Sequence, residues 1–398
     1  MAQDFVGSNN MNLLVPSGQF GTRLAGGDDA ASPRYIFTNL APATRYLFPE
    51  DDDILLDYLE DDGQLIEPKH YCPIIPLLLV NGSQGIGTGW STFIPPHHPM
   101  SVIDYIRTKL DGQMEAPAIM PYAKGFKGTI ERLDTGMGYV SRGIIKKLDA
   151  KSVQIDELPI GVWTNSYKAH LLRLQSKGII SDFIEDHTTT KVSFRIRLKP
   201  SQLKRMEDTG LEKAFRLTSN LLLTNMNAFD ETGQIIKFDS AESIADAYFA
   251  IRLSLYHDRK SVLQSKMEYA ATKQRNKARF IQMVSEGQID LMSGRLSREE
   301  ASKILTERGF SAASALAAIR DTKSLGANKE DEEEDEDTGD THSDFDYLLK
   351  MPLSSLTRER IESLNQDAQK IDEELKKVRG TTPEELWTAD LEKLVRHL

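Results

Sequence analysis

Near residue 240 the hydrophobic period of the chain changes, and that change limits the available folds more than any other feature. Downstream, Tyr248, Ile251, Leu255 and Val262 fall on one stripe of a long helix that continues through Lys273, Arg275, Lys277 and Arg279 to Phe280. Farther on, Ile361, Leu364, Ala368, Ile371, Leu375 and Val378 alternate spacings of three and four residues, the a/d seam of a coiled coil. Two long amphipathic helices separated by other sequence predict an antiparallel pair. The intervening run from Glu330 to Asp337 contains no apolar residue, so a disordered acidic insert over about 322–342 is expected.

Upstream of 240 the pattern is mixed. Gly125–Ile130, Lys151–Ile155 and Lys191–Leu198 alternate as strands do. The last puts Lys191, Ser193, Arg195 and Arg197 on one face, either a solvated strand surface or part of a phosphate-facing groove. The longest apolar stretch, Ile74–Val80, reads as extended; it is interrupted by Pro76 and falls far short of the roughly 20 residues a membrane helix needs. The fold class is therefore α+β, in several domains. Met1–Phe5 lacks a basic segment leading into an apolar one, so no secretory signal is expected. A lone Cys72 excludes an internal disulfide and a multi-cysteine zinc site, which fits a reducing compartment such as cytosol or nucleus.

The net charge of -11 argues at first against a polyanionic partner. Its distribution says otherwise. Eight acidic residues lie between Glu50 and Asp62 and eight more between Glu330 and Asp337; removing these sixteen charges turns -11 into +5. The remainder is mildly basic and compatible with DNA. The two acidic runs read as linkers.

Three glycine-rich stretches stand out. Gly82, Gly85, Gly87 and Gly89 follow the apolar segment, but a dinucleotide fingerprint must open a helix, and Thr92 to Pro99, with three prolines, cannot. What remains is a flexible loop carrying Ile86 between two glycines, either a core contact or a wedge that unstacks a base step. Residues 1 to about 48 hold the other two, Gly18–Gly21 and Gly26–Asp29, which are either surface turns or loops lying along a phosphate backbone with Arg23 and Arg34 supplying charge. Tyr35 follows Ser32-Pro33-Arg34, and Ile36, Leu40, Ala43 and Leu47 recur at helical spacing. Tyr35 is thus expected near the start of a short helix, where the dipole favours negative charge. A tyrosine beside an arginine, taken alone, is an ordinary surface or half-buried pair.

Taken in order, Gly7-Ser8-Asn9-Asn10, Gly18-Gln19-Phe20-Gly21-Thr22-Arg23, Ser32-Pro33-Arg34-Tyr35-Ile36-Phe37-Thr38 and Asn81–Ser91 resemble the breakage–reunion region of eukaryotic DNA topoisomerase II. Glu157-Leu158-Pro159 with Trp163-Thr164, and Tyr347-Leu348-Leu349 with Met351-Pro352-Leu353, are similar in order and spacing, so the resemblance covers essentially the whole chain. It implies that residues 1–62 form the second half of a winged-helix domain, 63–240 a mixed α/β tower domain, and 241–398 an antiparallel coiled-coil arm with a helical dimer gate. It further implies a nuclear homodimer acting on double-stranded DNA.

The resemblance aligns Tyr35 with the nucleophile, Arg34 with the arginine beside it and Ile86 with the residue that intercalates and bends the duplex. Gln19, Arg23, Ser32 and Ser83 become expected DNA contacts. The implied reaction is transesterification, in which a phenolic oxygen attacks phosphorus, expels a 3′-hydroxyl and leaves a 5′-phosphotyrosyl link. A phenol with a reference pKa near 10 needs help at neutral pH, and a guanidinium supplies positive charge without losing its proton. Mg²⁺ and ATP would be bound by domains outside this chain, so the chain alone should not relax DNA. Asp28 departs from the family, which commonly shows lysine there. An alternative is a DNA-clamping or chromosome-scaffold protein of the same fold that does no chemistry.

Overall fold

The computed structural model describes residues 1–113, 115–289, 297–320, 344–352 and 357–398. The acidic insert expected at about 322–342 lies outside them. Contacts divide the chain into two compact units: Met1–Leu47 with Pro73–Ile251 and Asp390–Leu398, and Phe48–Cys72 with Arg252–Ala389. The fold is mixed α and β, as expected.

The core of the first unit is a four-stranded antiparallel sheet in the order Ile144–Asp149, Ser152–Glu157, Phe194–Arg197, Asp182–Glu185. Alternation sends Val153, Ile155, Phe194 and Ile196 inward, where Tyr167 and Leu171 of the helix Thr164–Ser176 and Leu203 of the helix Pro200–Thr209 meet them. Each such side chain contributes roughly 1.5–3 kcal/mol on burial. The Tyr167 hydroxyl donates to the Phe215 carbonyl at 2.8 Å, so the phenol enters the core with its polar end satisfied. On the opposite face Arg195 and Arg197 are exposed beside Gln154, Ile184, Ser152 and Asp182 on the neighbouring strands. That mixed company makes it a solvated surface. Ser193 keeps to that face but is buried, its hydroxyl accepting from the Gln154 amide at 3.0 Å.

A second sheet, Thr218–Leu222, Gly138–Arg142 and Thr129–Arg132, lies against Ala123, Phe126 and Ile160. The helix Pro99–Leu110 starts on Pro99 with His98 accepting from the Met100 amide, and Val102, Ile103, Tyr105 and Ile106 form its buried stripe.

Two local expectations fail here. Ile74–Val80 is not extended throughout: Leu77–Asn81 makes a helical turn behind Pro76. Ile74, Ile75, Leu79 and Val80 are all fully buried, and an apolar run buried on every side carries no period to read. Nor does Tyr35 begin a helix. Pro33–Tyr35 is one 3-10 turn, Ile36 is already extended, and helix resumes only over Thr44–Leu47. Backbone pairing with residues 13–15 claims the segment instead, helped by β-branched Ile36 and Thr38.

In the second unit the acidic run at 50–62 is folded, not a linker. Glu50–Leu55 is a 3-10 helix, and Tyr58–Asp61 pairs with Gln64–Pro68 as a hairpin. Asp52 is buried, bridging Arg252 at 2.6 Å and Arg259 at 3.7 Å, while Asp51 holds Arg259 at 2.7 Å. Both arginines belong to the helix Ala241–Ser285, and their guanidinium groups lie 4.4 and 5.4 Å from the centre of the Tyr256 ring, which stacks on Trp387. The deep stripe here is therefore Arg252, Tyr256, Arg259 and Val262; of the expected positions Val262 is buried, whereas Tyr248, Ile251 and Leu255 are only half-buried. The helix Arg358–Gly380 runs antiparallel to it: Leu364 packs with Ala278 and Ile281, Arg275 pairs with Asp372, and Glu268 with Arg379. All six positions of the expected 361–378 seam are buried or half-buried.

Candidate functional site

Tyr35 sits at the end of the 3-10 turn with its amide bonded to the Ser32 carbonyl at 2.9 Å, and its side chain is 73% exposed. The Arg34 guanidinium lies 5.8 Å from the centre of its ring. Among the described residues, no hydrogen bond engages the Tyr35 hydroxyl and no carboxylate pairs with Arg34. The pair is left open toward solvent, a phenol and a permanent cation on adjacent residues.

Both flanks of this open pair are fixed. On the C-terminal side the chain runs extended along residues 13–15: Val15 N–H donates to Asn39 at 3.0 Å, Ala41 N–H to Leu13 at 2.9 Å, and the Thr38 hydroxyl to Val15 at 2.8 Å. On the N-terminal side the Ala31 amide donates to Gln19 at 2.9 Å, and the Gln19 side-chain amide to the Asp29 carbonyl at 3.0 Å. Asp29 accepts from the Thr22 hydroxyl at 2.6 Å and the Thr22 amide at 2.8 Å, which holds its carboxyl below the usual carboxylate range. Gly21 lies so close to Gly27 that a Cβ would come within 2.6 Å of its backbone, so this turn requires glycine. Gln19 and Ser32 are thus exposed neighbours of the Tyr35 turn.

Arg23 is not. It is buried against Glu157, with a second bond to the Leu158 carbonyl, and Glu157 also accepts from the amides of Leu158 at 2.9 Å and Lys127 at 3.2 Å. The expected phosphate contact is replaced by an internal tie anchoring the 18–31 loop to the segment beside Trp163. Asp28 is exposed.

Ile86 belongs to a different element. Ser83–Ile86 pairs with Ser91–Ile94, with Ile86 opposite Ser91 at the open end, where Gly87 N–H donates to Trp90 at 2.7 Å. The Ile86 side chain is 92% exposed, so it is not a core contact. The hairpin is seated by Asn227, whose amide donates to Ser91 at 2.8 Å, by the Thr92 hydroxyl on Asn227 at 2.6 Å, and by Phe93 N–H on Asn225 at 2.9 Å. Ser83 lies half-buried at its base. The structure brings Gln19, Ser32, Arg34 and Tyr35 together and places Ser83 and Ile86 on this separate hairpin.

Asn10, Asn81, Asn225 and Asn227 hold these elements; Asn10 and Asn81 stand in the family-like strings without any sign of this structural role, and nothing in the sequence marked Asn225 and Asn227. Asparagines in glycine-rich strings ordinarily read as turn residues. Among the described residues, no three His, Cys, Asp or Glu side chains gather as a metal site, and Asp51 and Asp52 are already engaged by arginines. The described residues thus do not form a Mg²⁺ site. No described helix is long and apolar enough to cross a membrane.

Comparison with known proteins matches this geometry to a family. The family model for the A-type chain of DNA gyrase/topoisomerase IV matches residues 1–392. DNA topoisomerase 2 of Arabidopsis thaliana is 41% identical over 100% of this chain and 28% of its own length, and DNA topoisomerase 2-alpha of Cricetulus griseus 40% identical over 100% and 26%. The chain therefore spans about a quarter of these relatives. The Plasmodium falciparum topoisomerase II DNA-binding, cleavage and re-ligation domain superposes with a TM-score of 0.84 at 38% identity, covering 100% of this chain and 54% of that one. The chain belongs to the DNA gyrase/topoisomerase IV family of A-type chains and is similar over its whole length to part of the topoisomerase II DNA-binding, cleavage and re-ligation domain.

Proposed function

We propose that this chain cuts and reseals duplex DNA as part of an ATP-dependent type II topoisomerase, with Tyr35 as nucleophile. The observation that carries this reading is the exposed Tyr35 hydroxyl beside Arg34, on a turn tied down at both ends. The Tyr35 oxygen attacks phosphorus and gives up its proton. The bond to the 3′-oxygen breaks, that oxygen takes a proton, and a 5′-phosphotyrosyl ester remains. The phosphoester is conserved through the exchange, so religation by the 3′-hydroxyl needs no new energy source. Arg34 offsets the charge growing on the phenolic and phosphoryl oxygens. Gln19 and Ser32 contact the backbone beside the scissile phosphate, Ser83 contacts it from the base of the hairpin, and Ile86 enters the base stack and bends the duplex.

In this reading residues 1–62 complete a winged helix, 63–240 form the tower, and 241–398 make a coiled-coil arm ending in the gate of a nuclear homodimer. The antiparallel run of the two long helices supports the arm. Mg²⁺ and ATP are bound outside this chain. The test is covalent adduct trapping on the assembled enzyme with Tyr35→Phe. Loss of the adduct is expected; an adduct that persists assigns the nucleophile elsewhere, and absence of any adduct from the parent leaves a DNA-clamping scaffold. Ile86→Ala should lower duplex bending, read as energy transfer between labelled DNA ends, and unchanged bending would remove the wedge role.

A further inference from the structure

The hairpin that carries Ile86 and the turn that carries Tyr35 are distant in sequence and share no strand, yet two asparagine side chains connect their supports. Asn81 is the last residue of the helical turn Leu77–Asn81, immediately before Gly82 and the strand Ser83–Ile86. Its amide oxygen accepts from Met11 N–H at 2.9 Å and its amide nitrogen donates to the Met11 carbonyl at 3.0 Å, the pattern of a paired strand made by one side chain. Asn10, only 6% exposed, donates to the carbonyls of Val80 and His97 at 2.9 Å and of Tyr122 at 3.0 Å, and its oxygen accepts from Lys124 N–H at 2.8 Å. Asn10 and Asn81 thus grip the root of the hairpin from both sides of residue 80.

Two residues farther along, Leu13 and Val15 hold the Tyr35 segment through Ala41, Asn39 and Thr38. The path from hairpin root to nucleophile is therefore a short series of backbone-scale hydrogen bonds through residues 10–15. Gly82 lets no slack into it: with φ at +71°, an added Cβ would come within 2.6 Å of the Ile94 carbonyl and 2.9 Å of Pro96 N. The root is closed around a glycine, and movement of the hairpin transfers to Met11 instead of dissipating at a loose hinge.

We propose that Asn10 and Asn81 are positioning residues that make the Ile86 hairpin and the Tyr35 segment one mechanical body, so that insertion of Ile86 into DNA sets the placement of Tyr35. This rests on the function proposed above. It also assigns the asparagines something beyond stability: they couple bending to cleavage.

The experiment is a double-variant cycle on the assembled enzyme, combining Ile86→Ala and Asn81→Leu and scoring duplex bending and the rate of covalent adduct formation. Asn81→Leu alone should keep bending near the parent while slowing adduct formation about tenfold, an ordinary coupling for residues joined by shared contacts. In its presence Ile86→Ala should slow cleavage by less than about twofold further. Effects that multiply fully would overturn the coupling, as would cleavage unaffected by Asn81→Leu. Tyr35→Phe runs beside these: if it retains the adduct, the functional reading itself has failed, whereas its loss of adduct with multiplicative effects condemns only the coupling.

Should Asn81→Leu fail to fold, hydrogen exchange decides. Ile86→Ala alters only an exposed side chain. In the parent, duplex binding should raise protection of the Met11, Val15 and Ala41 amides, and with Ile86→Ala that increase should vanish. Equal protection in both overturns the proposal.

Discussion

Arg23→Met separates two roles that a loop arginine in a DNA-binding family can have. The structure encloses its guanidinium with Glu157, their side chains 5% and 2% exposed. Removing the cation leaves a carboxylate in the interior whose remaining partners are the amides of Leu158 and Lys127. Breaking one side of a buried ion pair costs about 3–5 kcal/mol, because the surviving charge keeps its desolvation penalty without the attraction that offset it. Against a domain stability of roughly 5–15 kcal/mol that is a large fraction. The predicted outcome in urea is a lower midpoint at unchanged slope. Adding Glu157→Gln, which removes the stranded charge but keeps an acceptor for only one of the two amides, should recover part of the loss.

The competing role makes a different prediction. An arginine contacting phosphate releases a counterion on binding, so its removal would flatten the dependence of log affinity on log salt by about 0.9 while leaving denaturation untouched. The same Arg23→Met protein is therefore titrated with duplex DNA at several salt concentrations. A parent-like denaturation curve with a flattened salt slope would refute the buried-tie reading. A lowered midpoint with an unaltered slope supports it.

Two further outcomes follow from buried charge. His97 is almost wholly buried, donating Nδ1–H to Leu79 at 3.0 Å, and burial pulls its pKa down from 6.5 to about 4. Because the folded pKa lies below the unfolded one, the unfolded chain takes up the proton first. The stability held above pH 6.5 is lost as pH falls toward 4, by on the order of 3 kcal/mol. Denaturation midpoints of His97→Gln and the parent should therefore converge over that window, and a constant difference would contradict the assignment. Asp52→Ala removes the carboxylate shared by Arg252 and Arg259, and should destabilise the second unit by about 3–5 kcal/mol; a change below about 1 kcal/mol would show that Asp51 and Tyr256 suffice to hold both cations.

How much of this was legible depended on whether the information was local. The 361–378 seam was, because a repeat sustained over three heptads outweighs any single contact, and all six positions turn inward. The stripe of the helix Ala241–Ser285 was read only in part: Val262 is buried as expected, but Arg252 and Arg259 occupy deeper positions, and a hydrophobic pattern scores arginine as surface. Only the distant Asp51 and Asp52 make them internal, and nothing local distinguishes Asp52 from the seven other acids around it. The helix drawn from Ile36 to Leu47 rested on four residues, too few to survive competition with Leu13–Val15 for the same backbone. At the site, the order of the motifs singled out Tyr35 and Ile86, which prove exposed, but could not orient Arg23. The string Gly21-Thr22-Arg23 reads the same whether the guanidinium points outward or toward Glu157.

Tyr35, Phe37, Ile86 and Trp90 are all exposed, Phe37 by 88%, although burying each would have gained roughly 1.5–3 kcal/mol. A chain selected only for stability would not leave them out. Their segments keep a fixed conformation by another means: backbone bonds to residues 13–15, asparagine side chains standing in for backbone partners, and glycines packed too closely to admit a Cβ. Hydrogen bonds of this kind contribute only about 1 kcal/mol each, but they fix direction, which hydrophobic burial does not. The first unit therefore separates two tasks: the sheet core around Phe194 and Tyr167 supplies the stability, and the polar ties supply the aim. That division leaves the exposed aromatic and apolar side chains able to meet a ligand without first breaking internal contacts, on loops whose backbone is held by hydrogen bonds.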